Sequence, residues 1–343
     1  MRLFFACSDR DHGHVCGWTF AKNILYKNTV VSMVTMLHIV EEGSACAGSQ
    51  LLIAAGASMA RHGRELEKSS VEIELAALLG EYDARGIDVP VVSLWVNSAV
   101  DALSIAQGGW LEWAMRWLEG HGRAVIVRTR HILARSIIDC AVEVDAGIEL
   151  EIAHQQPIVQ KALLGAAADS AAALLLQAQH LVSCELAVWV RLAPLFPGVH
   201  DEPRVFTSLV KNIVAADLRS AHLEIGSLLP RQRRALQASV RQGGVSPGGL
   251  LKLGRAFGLD PVALLGGYGA EQEPKQRHES ARSLRVYRKT ALEHGLKRIS
   301  ESVGLQVDHC GCAFQCHLRV GEAKTRPYVS VVGPELFAQE LTA

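Results

Sequence analysis

Up to about residue 195, short runs rich in Val, Ile, Leu and aromatic residues alternate with longer runs rich in Ala, Leu, Glu and Gln. The strand candidates are residues 3–7, 30–37, 89–96, 123–128, 147–153 and 186–192, and the helix candidates are 65–82, 99–118 and 159–181. A chain that alternates in this way buries the apolar side of each helix against a sheet, and it does so most simply with parallel strands. The expectation is a layered α/β structure. Residues 163–181 are apolar nearly all round, which predicts a buried helix.

Three prolines, Pro194, Pro197 and Pro203, fall within ten residues together with Gly198, a composition that ends regular elements. The break predicts a boundary between an α/β domain at 1–195 and a mostly helical, basic domain at 204–343, and the chain's 343 residues suit two domains. Helices are expected at 205–221, 230–242, 248–258, 261–265 and 280–303. A β-hairpin built from 313–320 and 327–332 is expected to close the chain. Uncharged runs are too short or too polar for a membrane span of about 20 residues. The N-terminal apolar stretch is too brief for a secretion signal and runs into Asp9, Arg10 and Asp11. A cytoplasmic location is expected, with its thiols reduced.

Zero net charge conceals a division. Residues 228–328 hold 17 Lys/Arg and 8 Asp/Glu, whereas residues 1–227 hold 18 and 25. A basic segment on an acidic body attracts polyanions through phosphate neutralisation, which makes nucleic acid a candidate partner beside docking on the chain's own acidic half.

Near the C-terminus, His309, Cys310, Cys312, Cys316 and His317 lie within nine positions. Thiolates and imidazoles are zinc ligands, zinc takes four of them in a tetrahedron, and Gly311 helps the loop bend. The cluster predicts a closed structural zinc site that staples the C-terminal segment. The alternative is a set of free thiols.

A second polar group, from Cys7 to Cys16, contains Asp9, Asp11, His12 and His14 after a predicted strand and before a predicted helix. Two carboxylates there could hold a hard cation that activates water. The segment resembles the first motif of the DHH phosphoesterases, in which a strand ends in His-x-Asp-x-Asp-Gly. Cys7 stands where that family has His, and no Asp-His-His triplet follows. The resemblance implies a metal-dependent hydrolase, the alternative to a binding protein.

Gly244-Val-Ser-Pro-Gly248 fits the G-x-S-x-G formula of serine hydrolases, yet Pro247 has no N–H to serve as oxyanion donor. Ser246 and Pro247 instead predict a helix N-cap and first turn. Leu250, Leu253, Phe257 and Leu259, followed by Asp260-Pro261, resemble the last two helices of the lambda-repressor type of helix-turn-helix domain. The resemblance implies DNA binding, with Arg231, Arg233, Arg234, Arg241, Lys252 and Arg255 as phosphate contacts.

Trp110, Trp113 and Trp117 share one helical face, with Gly108-Gly109 as a break before it, and predict core or subunit packing. No P-loop or G-x-G-x-x-G fingerprint is present. Taken together, these features predict a cytosolic binding or regulatory protein, nucleic-acid-binding and zinc-stapled. The alternatives are the hydrolase and an assembly protein acting through a protein partner or a homo-oligomer.

Overall fold

The computed structural model describes residues 22–26, 29–33, 37–42, 50–55, 68–84, 86, 89, 91–96, 109–260 and 281–307. Within them the chain is an α/β protein. Strands β1 (Lys22–Tyr26) and β2 (Thr29–Met33) form an antiparallel pair of their own. The main sheet holds β3 (Leu37–Glu42), β4 (Gln50–Ala55), β5 (Val91–Val96), β6 (Ala124–Thr129), β7 (Gly147–Ile152), β8 (Val188–Leu195), β9 (Ser220–Ile225) and β10 (Gln306–Val307). Its spatial order follows the chain from β3 to β10. Strands β4 to β10 run parallel, and β3 pairs antiparallel on β4.

Parallel neighbours require crossover connections, and helices supply them. These are α1 (Lys68–Ala84), α2 (Trp110–Gly120), α3 (Arg135–Glu143), α4 (Pro157–Leu164), α5 (Ala171–Ser183) and α6 (Pro203–Ala215). Beyond β9 come α7 (Pro230–Val240), α8 (Pro247–Phe257) and α9 (Val286–Ser302).

Successive side chains of a strand point to opposite faces, so each strand divides its residues by parity. One parity, including Val92, Leu94, Val127, Ile148, Leu150, Val190, Leu192 and Leu223, joins the main apolar core with α1, α2, α3, α5 and α6. A smaller core joins α4, α7 and α8 around Phe196, Val199 and Leu228, at the end of β8.

Two predicted helices are corrected. The run 159–181 is two helices, because Gly165 takes a φ of 111° and Ser170 starts a new helix by accepting from the Ala173 N–H. The run 205–221 ends as a helix at Ala215. Asp217 turns the chain at φ 63°, and Ser220 begins β9.

The proline-rich break is a turn within one sheet rather than the end of it. Strand β9 pairs with β8, and β10 pairs with β9, so the chain after residue 204 extends the same sheet. The N-cap at Ser246 is as expected, its Oγ accepting from the Gly249 N–H with Pro247 in the first turn. Gly109, at φ 75°, precedes α2, whose Trp110 is buried while Trp113 and Trp117 pack half-buried against the core. The expected strand at 3–7, the helix at 261–265 and the C-terminal hairpin lie outside the described residues.

Candidate active site on the polar face of the sheet

The parity of strand residues that the main core does not use is charged. Arg128 on β6 stands in register with Glu149 on β7, Glu149 with Trp189 on β8, Glu151 with Arg191, and Arg191 with His222 on β9. Trp95 on β5 extends the row by pairing in register with Arg128. In parallel α/β sheets ligands meet the carboxyl ends of the strands, which is where Arg128, Glu151 and Glu224 lie, with Arg191 beside Glu151 in register.

Burying charges is costly unless they are paired. Arg128 donates from Nε to Glu149, with both side chains 4% exposed or less. The Trp189 indole donates to the other Glu149 oxygen at 3.1 Å. Arg191 donates to Glu224, and its second nitrogen lies 3.9 Å from Glu149. Four charged residues from β6, β7, β8 and β9 thus form one chain of ion pairs.

Glu151 is set apart on this face. Its Oε2 is buried and has no hydrogen-bond partner. Burial raises its carboxyl above the usual range; Arg130, Arg128 and Arg191 pull the other way, and Glu224 adds to the rise.

Just past β6, Arg130 lies over the Trp95 ring at 5.3 Å and donates to the Leu164 carbonyl at the end of α4. Gln160 ties α4 back to β7. Its Oε1 accepts from the Ala153 and His154 N–H groups, and its Nε2 donates to the Asp169 carbonyl. Asp169 in turn accepts from the Ile132 N–H and stands 3.7 Å from His131. The loops after β6, β7 and α4 are therefore held together at the strand ends.

His154 and His200 lie beside them with ring centroids 5.8 Å apart. His200 Nδ1 accepts from the Phe196 N–H at 2.8 Å, so Nε2 carries the proton and donates to the Ala153 carbonyl at 2.8 Å. His154 Nδ1 likewise accepts from the Gln156 N–H. Burial lowers the His154 pKa to about 3, helped by His200, and burial lowers that of His200 to about 4. Both imidazoles are neutral near pH 7.

The residues singled out in the sequence fare differently. Asp9, Asp11, His12 and His14 lie outside the described residues, as do His309, Cys310, Cys312, Cys316 and His317. Among the described residues, no group of three or more His, Cys, Asp and Glu could hold a metal ion. The six basic residues are not brought together as one free row. Arg231 and Arg233 are half-buried, and the Nε of Arg233 is fully so. Lys252 pairs with Asp201 at 2.6 Å, while Arg234, Arg241 and Arg255 are exposed. The helices that carry them, α7 and α8, pack with α4 in the smaller core at the end of β8.

Sequence reasoning missed Arg128, Glu149, Glu151 and Arg191. A signal was there: charges at every second position in otherwise apolar runs, as in Gly-Ile-Glu-Leu-Glu-Ile at 147–152. A strand sheltered on both faces has no reason to carry a charge unless that face is polar.

No family model matches the chain, and no curated protein matches it. Solved structures do. A spore photoproduct lyase C140S mutant aligns at 11% identity and TM-score 0.45, over 69% of this chain and 66% of that one. The same lyase with bound AdoMet and dinucleoside spore photoproduct aligns at 12% identity and TM-score 0.43, over 70% and 66%. Elp3 from the archaeon Methanocaldococcus infernus aligns at 10% identity and TM-score 0.40, over 61% and 53%. The chain thus spans just under two thirds of the lyase's length and about half of the Elp3 chain. At these identities and scores the likeness concerns the arrangement of strands and helices, and carries no chemistry across.

The expected binding or regulatory protein with a zinc-stapled end is corrected. Within this chain, the supposed DNA-binding helices pack against α4 and the end of β8, and the charged machinery lies on the sheet itself. No helix among the described residues is long and apolar enough to cross a membrane.

Proposed function

We propose that the protein is an enzyme that holds a small anionic molecule against the polar face, at the carboxyl ends of β6 to β9. The observation that supports this reading is the chain of ion pairs Arg128–Glu149–Arg191–Glu224, sheltered except at Glu224, whose side chain is 42% exposed. Buried ions of this kind add little stability, since apolar residues of similar volume would serve a core as well or better. Their use is preorganisation: fixed guanidiniums in a sheltered site recognise carboxylate or phosphate without having to be ordered on binding. Arg130, stacked on Trp95 beside them, adds a third guanidinium.

Each chain residue then has a task. Arg130 and Arg191 bind the anion, Glu149 holds Arg128 and Arg191 in place, and Gln160 fixes the loop after β7. The ligand class is a carboxylate or a phosphate, nucleotide and nucleic-acid phosphates included. The fold and the strand-end position suit such a ligand.

Titration calorimetry with inorganic phosphate and with succinate, a simple dicarboxylate, tests the reading. At least one should bind the wild-type protein, and Arg130→Ala should weaken it. Binding of neither probe, or binding that Arg130→Ala and Arg191→Met both leave intact, would exclude this face as the site.

A further inference from the structure

The other carboxylates described on this face accept hydrogen bonds from nitrogen. Glu149 accepts from Arg128 and Trp189, and Glu224 accepts from Arg191. Glu151 breaks the pattern. It faces Arg191 in the β7–β8 register, and its charged surroundings are Arg128 and Arg130 from the β6 side, Arg191 from β8 and Glu224 from β9. Three guanidiniums are its neighbours, yet its buried Oε2 is bonded to none of them.

The chemistry of the donors accounts for this. An ionised carboxylate only accepts, and arginine only donates, so the two should join. A protonated carboxyl carries an O–H on one oxygen, and arginine has no atom to receive it. We propose that Glu151 is a hydrogen-bond donor of this site, keeping a proton on Oε2 and presenting it to an oxygen of the bound anion. The inference rests on the reading of the polar face as an anion site and adds what the ligand must bring: an acceptor oxygen placed over β7, besides the charge that the guanidiniums meet.

Arg128 and Arg191 already have carboxylate partners in Glu149 and Glu224. Burial favours the neutral form of Glu151 by raising the carboxyl's pKa.

Infrared difference spectroscopy at neutral pH, wild type against Glu151→Gln, reads the proton directly. The isosteric variant keeps the volume and a donor. A protonated-carboxyl C=O band should be present in the wild type, absent from the variant, and shifted when inorganic phosphate is added. Phosphate affinity should be nearly retained in Glu151→Gln and fall by about tenfold in Glu151→Ala, the loss expected when a hydrogen bond to a charged group is removed. If the band is absent while phosphate still binds in an Arg130-dependent way, Glu151 is ionised and the proposal falls alone. If the band is present and phosphate does not perturb it or bind at all, the anion reading falls and takes the ligand contact with it.

Discussion

Arg128 and Glu149 stand directly opposite each other on β6 and β7, joined by an ion pair with side-chain exposures of 4% and 1%. Each is tolerable in the interior only because of the other. Glu149→Ala should lower unfolding stability by about 3–5 kcal/mol, since it leaves Arg128 without its carboxylate and Trp189 without its acceptor. Urea unfolding measures this. Arg128→Met with Glu149→Leu should recover part of the loss, and a double variant no better than Glu149→Ala would show that the pair is not the source.

His154 and His200 make the fold acid-sensitive. Their folded pKa values, about 3 and about 4, lie below the ordinary 6.5, so protons bind the unfolded chain more tightly. Their contribution is complete above pH 6.5. It is lost as the pH falls toward 4 and then 3, at a limiting slope of about 1.4 kcal/mol per pH unit for each histidine. Stability measured from pH 7 to pH 4 should fall less steeply in His200→Gln than in the wild type. Equal slopes would mean that other groups carry the acid limb.

Gly198 and Gly249 bring two backbones into contact where β8's end meets the start of α8. A Cβ on Gly198 would lie 2.2 Å from the Gly249 carbonyl oxygen, and one on Gly249 would lie 2.3 Å from that of Gly198. Gly198 also sits at φ 82°, which side chains resist. Alanine at either position should reduce the melting temperature markedly. Gly248→Ala, in open space on the same helix, should leave it unchanged or raise stability by up to about 1 kcal/mol.

Two arginines of the basic segment close the C-terminus of α8 and so are not simply displayed to solvent. Arg288 donates to the carbonyls of Arg255 and Ala256 at 2.9 and 3.0 Å, and Arg282 donates to that of Gly258 at 3.0 Å. Cations at this end also meet the negative pole of the helix dipole. Arg288→Ala should cost about 1 kcal/mol, and salt should shrink the difference from the wild type. An Arg288→Ala variant as stable as the wild type at low salt would contradict this role.

Much of the fold was legible along the chain, because strand and helix preferences are local. Runs such as 89–96, 123–128 and 147–153 led directly to β5, β6 and β7, and Ser246-Pro247 to the start of α8. The misreadings came where a local pattern was outvoted. Residues 216–221 read as a helix's end until β8 offered an edge for β9 to join. The prolines at 194–203 interrupt the pattern along the chain, and the sheet continues beyond them.

The candidate site was less legible. By itself the sequence determined that strands and helices alternate, that charges recur at every second residue of β7, and where several helices begin. Only the tertiary structure decided which charges meet. Arg128 and Glu149 are 21 residues apart, Glu149 and Arg191 farther still, and their pairing depends on register between neighbouring parallel strands. Register is set by packing on the opposite, apolar face, where a slip of one residue would exchange the two faces and bury every charge in the core.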